Sequence, residues 1–132
     1  MSIKTSSISK GATLAITGGT SEALTGLSDG NGKTSTFYNG SDYLTRQEID
    51  FITRAPKVNV NSPDGYTQAR SSIVLRVPKI LANGQRTVST IRIEFSSSIE
   101  NTSAEKDDML NDAAQLLIDA GFSDFWKNQA HG

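Results

Sequence analysis

Arg70, Arg76 and Arg92 lie in two stretches, RSSIVLRV (residues 70–77) and TIRIEFS (residues 90–96), where the side-chain character alternates. Ile73, Leu75 and Val77 alternate with Ser72, Val74 and Arg76, and Ile91, Ile93 and Phe95 with Thr90, Arg92, Glu94 and Ser96. Period-two alternation gives a strand one apolar and one polar face, so these arginines share the polar one. A guanidinium is a planar fork of donors matched to phosphate oxygens. Several on one sheet face are chemistry for holding a polyanion. Exposed arginines also splay into solvent without any ligand, and the pattern alone leaves both readings open.

Bond-breaking chemistry has few candidates. The single histidine, His131, stands one residue from the end, where fraying works against precise acid–base geometry. Glu48, Asp50 and Glu94 are available as paired carboxylates, but alternation and neighbouring arginines account for them as surface charges. With no cysteine, disulfides, zinc–thiolate sites and thiol nucleophiles are excluded. Gly18-Gly19 and Gly30 to Gly32 precede strand-like stretches, not helices, which is the wrong setting for a phosphate-cradling loop. The sequence therefore predicts no catalysis, cofactor, metal or small-molecule substrate.

The elements that must position the arginines follow from turn signals. Residues 12–17 and 21–27 read as a hairpin around Gly18-Gly19, and Asp29-Gly30-Asn31-Gly32 accepts positive φ cheaply. Further strands are predicted over 34–38, 44–54, 70–77 and 87–97, with turns at Asn39-Gly40 and in NSPDG (61–65). This is an antiparallel meander with no helix available for parallel crossovers. In the last hairpin, keeping like faces together pairs Val77 with Ile91, Leu75 with Ile93 and Ile73 with Phe95. Arg76 then faces Arg92, a like-charge pair an anion would relieve. That register needs either a three-residue loop over 83–85 or a bulge near Pro78, where ladder pairing weakens.

After the sheet, Thr102 and Glu105 have capping-box spacing, with Asp107 and Asp108 in the first turns. Met109, Leu110, Ala113, Ala114, Leu116, Leu117 and Ala120 form an apolar stripe, and Gly121 is placed to end the helix. Ser123 opens a short second helix flanked by Phe122 and bearing Phe125 and Trp126. Two turns with such aromatics must dock, on their own sheet or across a dimer interface.

At 132 residues the chain reads as one domain. Its 36% hydrophobic share is below the ordinary globular share, which favours a thin sheet completed by oligomerisation. Charge is unevenly spread. Residues 1–44 balance to zero, 45–98 carry eight cations against four acids, and 99–132 carry two against seven. The basic sheet suits a polyanion, and the acids of the tail also serve simply to solvate a helix. The N-terminal stretch lacks an apolar signal core, and no run is long enough to span a bilayer. Cytoplasmic synthesis without membrane association is expected.

At RSSIVLRVPK (70–79), STIRIEFSS (89–97) and LLIDAG (116–121) the chain resembles the coat proteins of single-stranded RNA bacteriophages, the levivirus type. The order of elements matches over nearly the whole chain. The resemblance implies an α+β fold with an N-terminal β-hairpin, a five-stranded antiparallel meander sheet and two C-terminal helices that clasp a dimer partner. It implies one coat-protein domain over 1–132, with the hairpin and loops to about 44, main strands over 45–98 and helices over 102–130. Dimers would join edge to edge and build an icosahedral shell, the virion capsid, in the bacterial host cytoplasm. The inner sheet face would bind genomic RNA, and in relatives also an RNA stem-loop as translational repressor. Carried onto matching positions, the RNA-binding residues are Arg54, Arg70, Ser72, Arg76, Thr90, Arg92, Glu94 and Ser96, with Val74 among them on the face. The dimer interface would take Met109, Leu110, Ala113, Leu117, Phe122, Phe125 and Trp126. Val74 stands where the family often has a basic or polar residue, Glu48 and Asp50 put acids on an RNA-contact strand, and the turn at 82–85 is short. The alternatives are a β-rich dimeric binding or structural module, such as a phage tail or fibre component, and an RNA-binding regulator that forms no shell.

Overall fold

A computed structural model describes residues 3–131. Five strands form one antiparallel sheet in sequence order: β1 (Thr25–Gly30), β2 (Lys33–Tyr38), β3 (Gln47–Arg54), β4 (Ala69–Ile80) and β5 (Arg86–Ser97). Two helices follow, α1 (Ser103–Ile118) and α2 (Ser123–Asn128). The chain divides into two compact units. Residues 19–100 hold the sheet, and the N-terminal segment to Gly18 joins the chain from Asn101 onward.

The meander is as expected, but the N-terminal hairpin lies further along. Residues 12–17 form no strand, and the hairpin is β1–β2, turning at Asn31 (φ 54°) and Gly32 (φ 74°) as the first two strands of the five. Polar groups of the early segment are engaged elsewhere. The Ser9 amide donates to Gln115 Oε1 at 2.7 Å, Gln115 Nε2 donates to the Ser9 carbonyl at 2.8 Å, and Asn111 Nδ2 donates to the Ala12 carbonyl. Lys10 pairs with Asp112 at 2.8 Å. Residues 111, 112 and 115 share one side of α1, so that side holds the N-terminal segment.

The expected β4–β5 register is corrected by two residues. Leu75 pairs with Ile91, Ile73 with Ile93 and Ser71 with Phe95, so faces still match like with like while Arg76 lies opposite Thr90 and Arg92 opposite Val74. The cause is the loop. Strand pairing ends at Ile80–Arg86, and residues 81–85 turn the chain with the Leu81 amide donating to the Gln85 carbonyl at 2.7 Å. Neither a three-residue loop nor a bulge forms, and pairing runs regularly through Pro78–Val88. The β3 ladder to β4 has stopped at Arg76, so Pro78 has a paired strand on one side only, where a missing donor is tolerated.

α1 starts with the anticipated capping box. Thr102 Oγ1 accepts from the Glu105 amide at 3.2 Å, and Glu105 returns to the Thr102 amide at 2.9 Å. Its end is not the expected Gly121. Asp119, extended at φ −65° and ψ 132°, stops the helix and its carboxylate accepts the Gly121 amide at 2.9 Å. A short polar side chain has bonded to nearby backbone in place of a glycine cap. α2 ends at Gln129 in the left-handed region (φ 53°).

Among the described residues Phe122, 7% exposed, is the one buried apolar side chain. Ile73, Leu75, Ile93 and Phe95 are half-buried, and Ile91, Leu110 and Trp126 are about half exposed. A chain of this length normally buries most of its apolar side chains. This one leaves that burial incomplete.

Candidate nucleic-acid interface

Register fixes which side chains share the polar face. Direct cross-strand partners point the same way, so Arg54, Arg70, Ser72, Arg76, Thr90, Arg92, Glu94 and Ser96 lie on one face, together with Val74. The pairing of β2 and β3 adds Lys33, Ser35 and Phe37 beside Ile52, Asp50 and Glu48. Arg86 and Val88 extend the face along β5. The opposite face carries Ile49, Phe51, Ile73, Leu75, Ile91, Ile93 and Phe95.

The like-charge pair on the polar face is Arg54 with Arg70, directly opposed at one end of β3 and β4. Arg70 Nη1 reaches Glu94 only at 4.0 Å, with both side chains about half exposed, so this contact neutralises little. Arg54, Arg70, Ser72 and Glu94 line a shallow cleft of about 120 Å³. Two adjacent guanidinium forks with one distant carboxylate present donors of the geometry that phosphate oxygens accept.

Arg76 sits differently. Its Nη2 donates to Asp50 Oδ2 at 2.7 Å and lies 3.7 Å from Glu48 Oε2, while Lys33 Nζ stands 3.8 Å from Asp50. The Asp50 side chain is 7% exposed. Burial alone would push its carboxyl up, but hydrogen bonds from Arg76 and Ser35, with the charges of Arg76 and Lys33, hold it below the ordinary value. Arg76 is thus partly neutralised from within. Arg92, by contrast, has no carboxylate within 4.0 Å among the described residues, and neither has Arg54.

Sequence reasoning missed Lys33, Arg46, Tyr43 and Arg86. Arg46 donates through Nε to Glu48 Oε1 at 3.1 Å and stands over the Phe37 ring at 4.8 Å. The parity of the β2–β3 and β4–β5 pairings was the signal that could have placed Lys33 and Arg86 on this face.

The residues expected at a dimer interface lie on or beside the helices. Met109, Leu110, Ala113, Leu117 and Trp126 are exposed, Phe125 is half-buried and Phe122 is buried. Trp126 Nε1 donates to the Leu116 carbonyl at 2.6 Å, and Phe125 meets Trp126 edge to face at 5.0 Å. These contacts hold the aromatic side chains together while Trp126 stays about half exposed.

No family profile and no curated protein matches the sequence. Solved structures do. The chain is similar to a chain of the virus-like particle of bacteriophage GQ-907, with a TM-score of 0.86 and 29% identity over 99% of this chain and 100% of that one. It is similar in fold to chains from virus-like particles of bacteriophage AVE019 (TM-score 0.67, 8% identity, 84% of this chain and 87% of that) and of Beihai levi-like virus 21 (0.60, 18%, 89% and 93%).

Proposed function

We propose that this chain, a levivirus-type coat protein with a structural role in a capsid, works as a homodimer whose joined sheets hold RNA against the inside of an icosahedral shell. The observation that carries the RNA reading is the adjacent, weakly neutralised pair Arg54 and Arg70 on a face that also bears Arg92 and Lys33. The role is geometric and electrostatic, not enzymatic.

Dimer formation is supported by unmet burial. Phe122 is the one buried apolar side chain among the described residues, so a lone chain lacks the apolar burial that stabilises folded domains. The two sheet edges differ. β1 has six residues and a register break between Gly26 and Ser28, devices that blunt an edge. β5 has twelve residues in unbroken register with β4 and offers a long free edge. Two copies pairing through β5 would make one ten-stranded sheet with a continuous arginine face. The exposed helix residues Met109, Leu110, Leu117 and Trp126 then have the partner's sheet to clasp, as Phe125 and Trp126 suit an interface anchor.

RNA contact through phosphates is independent of sequence and falls steeply with salt. Single-stranded genomic RNA is the partner this face fits, and a stem-loop bound there would act as translational repressor. Synthesis and assembly take place in the host cytoplasm.

The deciding experiment is bacterial expression followed by size-exclusion with absorbance at 260 and 280 nm, nuclease protection and electron microscopy of the leading peak. Uniform shells carrying protected RNA are expected. A small dimer free of nucleic acid at every salt concentration would replace this reading with a stand-alone binding module.

A further inference from the structure

The end of the polar face near the β4–β5 turn holds a cluster that no sequence motif announced. Tyr43 follows Asp42, whose carbonyl accepts the Thr45 and Arg46 amides at 3.0 and 2.7 Å and whose carboxylate accepts the Leu44 amide. This turn fixes the Tyr43 backbone. Two guanidinium groups stand against its ring, Arg46 at 5.4 Å and Arg86 at 5.3 Å from Cζ to ring centre. Tyr43 nevertheless remains 62% exposed.

The two arginines are not equivalent. Arg46 is neutralised by Glu48 at 3.1 Å. Arg86 has no carboxylate within 4.0 Å among the described residues, and its Nε donates to the Leu44 carbonyl at 3.4 Å. An open cleft of about 140 Å³ lies between Tyr43, Arg46, Glu48, Arg76, Arg86 and Val88, with the Glu48 carboxylate engaged by Arg46 and Arg76. An exposed aromatic ring held by cations, beside one guanidinium without an acid, offers a π-face and a phosphate fork side by side.

We propose that Tyr43 and Arg86 form a stacking site for one unpaired RNA base and its phosphate, set at the turn end of the arginine face. The site rests on the RNA reading above and deepens it. A base must be out of its helix to stack on a side chain, so the site takes single-stranded segments and passes over duplex. It stands about 20 Å along β4 from the Arg54–Arg70 pair, six residues from Arg76 to Arg70 at the strand rise. The face therefore has a stacking end and a phosphate end.

The test uses the full chain and two probes of about twelve nucleotides, a fluorescent single strand containing 4-thiouridine and a duplex of equal length. Tyr43→Ala is expected to weaken single-strand binding roughly tenfold, Tyr43→Phe to bind as the unaltered chain, and duplex binding to be unchanged in both. In the unaltered chain, photo-crosslinks should fall on the peptide containing Tyr43, which keeps the test valid even where Tyr43→Ala assembles poorly. Equal single-strand binding by Tyr43→Ala, or crosslinks confined to other peptides, would overturn the stacking site and leave the RNA face standing. A chain that binds neither probe at low salt would overturn both.

Discussion

Asp50 shows how much a single side chain on this face depends on its neighbours. Its carboxyl is held below the ordinary 3.8 despite burial. A group with a lowered folded pKa contributes stability above its unfolded value and loses it as pH falls through the folded one. The chain should therefore lose stability on acidification below about pH 4, and Asp50→Asn should flatten part of that fall in denaturant midpoints measured across pH. Arg76→Gln removes the 2.7 Å partner of a buried carboxylate. Because Arg76 is 35% exposed, solvent screening keeps the expected loss near the lower end, about 1 kcal/mol. Alternation alone placed Arg76 on the polar face, and that much was legible in the residues. Its partner was not, because Asp50 lies 26 positions away in β3, diagonal to Arg76, and only the β3–β4 register brings them together. The same limit explains why Arg76 and Arg92 were expected to face each other, whereas the opposed arginines are Arg54 and Arg70.

Elements were easier to read where local chemistry decides them. The Thr102–Glu105 box marked the start of α1, and Thr102→Ala should cost about 1 kcal/mol, visible as a lower thermal midpoint followed by circular dichroism. Asn31-Gly32 marked the first hairpin turn. There Gly32 has φ 74°, and a Cβ would stand 2.7 Å from the Thr53 carbonyl oxygen, while the Gly32 carbonyl accepts the Thr53 amide at 2.7 Å. Gly32→Ala forces backbone to move as well as straining φ, and a loss of about 1–3 kcal/mol is expected in the same assay. Elements decided by distant contacts were misread. Residues 12–17 have a strand-like composition, yet the Ala12 carbonyl is held by Asn111, a contact spanning 99 positions. The end of α1 went to Asp119 because a carboxylate two residues before Gly121 satisfied the backbone first.

For the molecule as a whole, the proposed dimer would supply the missing apolar burial and make oligomerisation part of folding. A chain ending at Gly121 lacks Phe122, Phe125 and Trp126 and should run as monomer or insoluble protein in sedimentation; a soluble native-like dimer would argue against helices that clasp the partner. Arg54→Gln with Arg70→Gln should leave shells visible by microscopy while lowering the 260/280 ratio and making RNA loss less steep with added salt, since fewer phosphates are neutralised. Normal RNA content in that double variant would remove the phosphate end of the face from the proposal. Composition and charge distribution made the basic sheet and acidic tail legible, but which edge remains free emerged only from the strand order.

The unprotected length of β5 has a consequence for how the protein is made. Under the proposed dimer, each newly folded chain carries twelve residues of open ladder until two copies meet, a template that accepts any passing strand. Correct pairing is second order in concentration, so each folding chain is in a race between its twin and every other exposed strand. On that reading slow accumulation would favour mispairing, and a burst of copies would favour the twin. With the dimer as proposed, the free edge would make abundance itself a condition of correct folding.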